Sequence, residues 1–271
     1  MGIVNVTPDS FSDGGQHATP TQALQHAERL LADGAHILDL GAESTRPGSL
    51  PVPLSEELDR LMPLVKEVVR WGVPISIDTY KPAVMQAVLE AGADIINDIW
   101  ALRQTGAREV VAAHPRCGVC LMHMNGHPQT MQLAPQEGPL TATVRDFLNE
   151  QTQALLALGV APDRVSWDPG IGFGKTVAQN FEMLAAQGVW SAPYAGLVGW
   201  SRKSSLGSVT GCSVEQRLVP SVVAAVLAVD AGARIVRVHD VRETCEALQV
   251  WGALQQARQA LNVTETNPPQ N

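Results

Sequence analysis

Polar residues recur at or just past the ends of short apolar runs: Asn5, Asp39 with Glu43, Asp78, Asn97 with Asp98, His123 after Met122, Asp168, Lys203, and Arg237 with His239. Burying an unpaired charge is costly, so core packing alone does not account for this set. Asp39 and Asp98 are the two candidates for capping a following helix instead. The others divide by chemistry. Asp78, Asn97 and Asp168 combine two carboxylates with an amide, which suits a flat heterocycle rich in N–H groups, such as an aminopyrimidine. Asn5, Arg237 and His239 offer donors and positive charge, which suit a phosphate or pyrophosphate. Lys203 lies between these groups. Phe11, Thr45, Arg46 and Ser204 stand in polar loops able to close over a second ligand.

The stretch at 165–176, VSWDPGIGFGKT, combines an apolar run, a carboxylate, a glycine-rich loop and a lysine. It reads as strand, acidic tip, flexible loop and helix start. It is not a GxxxxGK[ST] phosphate loop, because Pro169 replaces the first glycine, nor a GxGxxG, because Lys175 replaces the last. The chain has only four lysines, and two of them, Lys175 and Lys203, fall in glycine- or serine-rich loops. Cys117 and Cys120 have a redox or zinc spacing without a second pair. His123 and His127 are four apart, but Gly126 and Pro128 argue for a loop rather than a helical zinc pair. No GxSxG nucleophile motif occurs.

The elements that must carry these residues follow from periodicity. One phrase recurs: a helical pattern ends at a glycine, a small or branched residue follows, and a buried-type strand begins. Gly34, Gly72, Gly92 and Gly232 mark its clear instances and Gly159 a looser one. The repeat is the size of a βα unit. Eight apolar runs alternate with eight helical patterns, as expected for parallel strands buried on both faces. An open doubly wound sheet fits the alternation, but eight units in this length favour a closed (β/α)8 TIM barrel. Its first strand starts at the extreme N-terminus. Residues 1–262 form one domain on this reading, and 263–271 a disordered tail. The strand-tip residues above then share one face, where such barrels bind ligands.

Composition sets bounds. With 45% hydrophobic and 17% charged residues, the 271-residue chain can bury a sizeable core. A net charge of −8 argues against general nucleic-acid or anionic-membrane binding. No apolar run approaches the roughly 20 residues of a membrane span. Four unpatterned cysteines suit a reducing cytoplasm.

The chain resembles the bacterial dihydropteroate synthases over essentially its whole length. The resemblance rests on NVTPDSFSDGG at 5–15, ESTRPG at 43–48, IDTYKP at 77–82, NDI at 97–99, LMHM at 121–124, DPGIGFGKT at 168–176, SRKS at 201–204 and RVHD at 237–240. It implies condensation of dihydropterin-6-ylmethyl diphosphate with 4-aminobenzoate, giving dihydropteroate and diphosphate, with Mg2+ as cofactor. It implies that Asp78, Asn97, Ile99, Met122, Asp168, Phe173 and Lys203 hold the pterin. Asn5, Arg46, Arg237 and His239 then hold the diphosphate, with the metal at Asn5. Phe11, Thr45, Arg46, Pro47, Lys203 and Ser204 line the aminobenzoate site, which sulfonamides occupy. Asp78, Asp168 and Lys203 are the implied catalytic residues, small molecules the partners, and a homodimer the assembly, through apolar patches at 222–229 and 248–254. The loops 7–15 and 41–49 are expected to order only with pterin and diphosphate bound. The chain departs from the family in lacking a strand or hairpin ahead of MGI, in Ala42, and in Gly211-Cys212. A pterin-dependent methyltransferase and a catalytically silent pterin-binding homologue are the alternative readings. A Schiff-base aldolase using Lys203 would leave the phosphate-type cluster without a use.

Overall fold

The computed structural model describes residues 1–6, 20–44, 48–126, 131 and 138–266, with side chains as far as 261. Among the described residues eight strands appear: β1 Gly2–Asn5, β2 Leu38–Gly41, β3 Ile75–Asp78, β4 Ile95–Asp98, β5 Gly118–Met122, β6 Val165–Asp168, β7 Ala195–Val198 and β8 Ile235–Val236. They pair in sequence order and all in parallel. Parallel neighbours require a crossover, and helices supply it. These are α1 Pro20–Ala32, α2 Leu54–Val68, α3 Pro82–Glu90, α4 Ala107–Ala113, α5 Thr141–Leu156, α6 Val177–Ala185, α7 Gln187–Ser191, α8 Ser204–Thr210, α9 Leu218–Asp230 and α10 Val241–Thr266.

No ladder joins β8 back to β1 among the described residues. One isolated parallel bridge, Gly2 to Val238, stands at that seam. There Ile3 N–H donates to Val238 O and Val238 N–H to Met1 O, each at 3.0 Å. The sheet is thus a curled run of eight parallel strands, and the full closure expected from the sequence is reduced to this bridge.

The strands are not apolar on both faces. Val4, Leu38, Leu40, Ile75, Ile77, Ile96, Val119, Leu121, Val165 and Trp167 join the main core with helix residues such as Ala27, Leu64, Val84, Leu148 and Met183. The alternating positions are polar or small: Asp39, Gly41, Ser76, Asp78, Asn97, Cys120, Ser166 and Asp168. Period-two alternation therefore sends one set outward to the helices and the other into the curl of the sheet.

The five glycines of the repeated phrase all have positive φ, the conformation that ends a helix and that only glycine adopts cheaply. One expectation needs correction. Ser204 does not stand in a loop, because it opens α8. The next helix, α9, is apolar on nearly every side. The helix buries Ser221, Ala224, Ala225 and Ala228 and exposes Val219, Val223 and Leu227. A helix apolar all round gives no stripe to read, and small residues let it lie close to the sheet. The last helix, α10, runs to Thr266.

Candidate functional site

Register gathers the predicted residues. Asn5 pairs with Gly41, Gly41 with Asp78, and Asp78 with Asn97. A Cβ at Gly41 would lie 3.3 Å from Asp78 Cβ and 3.7 Å from Asn5 Oδ1. Glycine there keeps open the space flanked by the tips of β1 and β3. Asp168 ends β6 beside Met122 of β5.

Arg237, just past β8, is the hub. Its Nε donates to Asp39 Oδ2 at 2.6 Å and an Nη to Asp78 Oδ2 at 2.8 Å. Asn97 Nδ2 also reaches Asp39, at 3.4 and 3.5 Å from its two oxygens. Asp39 is therefore no helix cap: it is a fully buried counter-ion. Asp98 is no helix cap either: it braces the turn after β4, accepting from the backbone N–H of Trp100 at 2.7 Å and of Leu102 at 2.8 Å, while α4 starts only at Ala107, behind Gly106. The two subsites read from the sequence meet at Arg237, since a charge assigned to phosphate already pairs with an acid assigned to the heterocycle.

Burial dominates the titration of this face. It pushes the Asp78 carboxyl up, against the opposing pull of Arg237. It raises Asp168 to about 6, although Gly170 N–H, Lys203, Lys175 and Arg237 all favour the carboxylate. It lowers the Lys203 amine to about 8, opposed by Asp168 and Asp78. His239 is pushed down to about 3 by burial and then by Arg202 and Arg237. Its ring is neutral near pH 7, with Nδ1 2.9 Å from Ser201 Oγ. It offers hydrogen bonds rather than the positive charge expected of it.

A second set is apolar. Ile99, Met122 and Phe173 form one buried cluster with Met124 and Met131, and Tyr80 and Trp100 lie against it. Tyr80 and Trp100 stack at 5.3 Å. Lys203 Nζ sits 4.4 Å from the Phe173 ring centroid, which joins the apolar cluster to the charged set. Ser204 is exposed on the first residue of α8, next to Lys203. Phe11, Thr45, Arg46 and Pro47 lie outside the described residues, as do His127 and the parts of the two expected gating loops at 7–15 and 45–47.

Sequence reading missed three supports. Asp39 holds Arg237, as above. Glu43 accepts from Tyr80 Oη at 2.6 Å and from Val52 N–H at 3.0 Å, and pairs with Lys81. Lys81 also pairs with buried Glu57. Lys175 points into the protein rather than toward a ligand. The scarcity of lysine, noted for Lys175 and Lys203, was the signal that pointed equally to Lys81.

Known proteins resemble this chain over most of its length. The model of the family described as pterin binding enzymes matches residues 1–239. The chain is 46% identical over 266 residues to the dihydropteroate synthase of Neisseria meningitidis serogroup B, covering 94% of this chain and 92% of that one. It resembles Burkholderia cenocepacia dihydropteroate synthase complexed with 7,8-dihydropteroate, with a TM-score of 0.87 and 50% identity over 96% of this chain and 92% of that one. The Yersinia pestis dihydropteroate synthase with a sulfonamide drug complex gives a TM-score of 0.88 and 44% identity, over 94% and 93% of the two chains. The chain belongs to the dihydropteroate synthases, the pterin-binding transferases of folate biosynthesis.

Proposed function

We propose that the strand-tip face condenses (7,8-dihydropterin-6-yl)methyl diphosphate with 4-aminobenzoate, releasing 7,8-dihydropteroate and diphosphate. The observation that carries the reading is the joining of an acidic, amide-bearing set to an apolar cluster at Lys203 over Phe173. Asp168 and Asp78 accept from the N–H groups of the pterin edge, and Asn97 adds an amide. Ile99, Met122 and Phe173 pack on the ring. Asn5, Arg237 and His239, with Arg46, receive the diphosphate. Phe11, Thr45, Arg46, Pro47, Lys203 and Ser204 bound the aminobenzoate.

In the reaction the methylene C–O bond to diphosphate breaks, the amine nitrogen forms the new C–N bond, and the amine loses a proton. As the methylene becomes cation-like, fixed negative charge beside the ring stabilises it, and Arg237 stabilises the departing anion. Asp78, Asp168 and Lys203 are the catalytic residues in this scheme. A magnesium ion suits hard oxygen donors and commonly rides on substrate phosphates. Asn5, with its amide oxygen facing the open space beside Gly41, fits as its protein ligand. The ion would neutralise charge on the leaving group.

The same proposal includes a closed (β/α)8 barrel as one domain, a reading supported by the isolated bridge from Gly2 of β1 to Val238 just past β8. It includes a homodimer formed by α9 and α10, where Val219, Val223, Leu227, Val250 and Leu254 are exposed. A cytoplasmic site fits the four free cysteines. The test is diphosphate release on mixing both substrates with the protein. Release without 4-aminobenzoate, or none with it, would refute the reading.

A further inference from the structure

Lys175 is unused by the ligand contacts just assigned, yet only 4% of it is exposed. Its Nζ lies 3.1 Å from His123 Nδ1. It donates to three backbone carbonyls: His123 at 3.2 Å, Gly170 at 3.1 Å and Phe173 at 3.3 Å. These acceptors come from two loops, one after β5 and one after β6. A compact ammonium with three rotatable donors can serve such a cradle, whereas a planar guanidinium cannot.

The two loops touch backbone to backbone. A Cβ at Gly170 would come 2.0 Å from His123 O, and one at Gly174 would come 2.8 Å from Asn125 O. The glycines thus permit a close approach, and Lys175 sits at its centre. From the same turn, Gly170 N–H donates to Asp168 Oδ1 at 2.7 Å. Phe173, at the loop's tip, carries Lys203 on its ring.

We propose that Lys175 is a positioning residue for the pterin site: its amine fastens the loop after β6 to the loop after β5 and so sets Asp168, Phe173 and Lys203. The inference rests on the pterin reading above. Burial lowers the amine to about 7, with Asp168 holding its proton on and Lys203 pushing it off. Burial, Lys175 and then Arg103 keep His123 near 3, so its neutral ring can accept at Nδ1. Asp168 in turn faces Lys203, Lys175 and Arg237, and Cys120 of β5.

The test is calorimetry of a bare pterin, 6-hydroxymethylpterin, against the full chain from about pH 5 to 9, a span that brackets Asp168, Lys175 and Lys203. Lys175→Met is expected to lower affinity about tenfold, the scale of a lost charge-assisted bond. It is also expected to move the acid-side loss of binding to higher pH, because Asp168 loses a neighbouring cation. Unchanged affinity overturns the proposal. So does weakened affinity with an unmoved acid limb, which would assign Lys175 to stability alone. If Lys175→Met does not fold, His123→Ala replaces it. That variant keeps the three carbonyl acceptors, and about a threefold loss is expected; no loss overturns the proposal. Failure of the unaltered chain to bind the pterin would instead overturn the pterin reading itself.

Discussion

Arg237 shows how one side chain couples the two halves of this site. Its guanidinium is shared between buried Asp39 and Asp78, so its removal unpairs two carboxylates at once. Leaving a buried partner uncompensated costs about 3–5 kcal/mol. Arg237→Ala is therefore expected to lower the midpoint of chemical denaturation and to weaken binding of both diphosphate and bare pterin. His239→Ala, which removes the hydrogen-bond contact with Ser201, should weaken diphosphate alone. Calorimetry with the two ligands separates these cases, and equal losses in His239→Ala would place the histidine elsewhere. Asp168→Asn tests the acid side. Its carboxylate accepts from Gly170 N–H and is assigned to accept from the pterin, where charge-assisted bonds are worth about 1.5–3 kcal/mol each. An amide must turn a donor toward a donor, so pterin affinity should fall at least tenfold, about 1.4 kcal/mol.

At the scale of elements, the loop between β6 and α6 is braced at every step. Gly170, Gly172 and Gly174 all have positive φ. Gly172 N–H donates to Asn180 Oδ1 at 2.8 Å, and Asn180 Nδ2 donates to Ser205 of α8 at 2.8 Å. Thr176 and Gln179 form a capping box at the start of α6. The loop read as flexible is thus a rigid strut carrying Phe173. Gly170→Ala must clear a backbone oxygen 2.0 Å away, and overpacking with strained φ should cost about 3 kcal/mol or more. Gly72→Ala is the control: its φ is +70 but nothing lies within 4 Å, so about 1 kcal/mol is expected. Equal shifts in urea midpoint for the two variants would deny the close approach of the loops.

For the whole molecule, acids raised by burial and amines lowered by it narrow the pH range of the site. Asp168, raised to about 6, and Asp78, also raised, must lose their protons to accept from the pterin. The specificity constant kcat/KM is therefore expected to rise with pH through about 6. Lys203, lowered to about 8, loses its charge on the alkaline side, and kcat/KM should fall there. This constant reports groups of the free enzyme, so an acid limb near the ordinary aspartate value would contradict the burial argument. Assembly is tested separately from the chemistry. Val223→Glu with Leu227→Glu places charge on an apolar surface where Val219, Val223 and Leu227 of α9 are exposed. Light scattering should then give half the mass of the unaltered protein; an equal mass would remove this face from the interface.

Period and chemistry made much of this protein legible from its sequence. The eight strands, the helix-ending glycines and the polar residues at strand tips are local features, and each repeats with the βα unit. Asp78, Asn97 and Asp168 could be placed on one face because parallel strands share a direction. Tertiary structure decided what those residues touch. Asp39 and Arg237 are 198 residues apart in the chain, and their ion pair exists only because the sheet curls β8 round to β1. Whether a polar strand residue is a ligand contact, a counter-ion or a brace for the next turn depends on which neighbour fills the adjacent space. Asp39 and Asp98 looked alike in sequence and take the two different structural roles. Lys175 likewise carries nothing in its flanking residues to show that it turns inward. Its direction is set by backbone carbonyls from a loop that only the packing of β5 against β6 brings within reach.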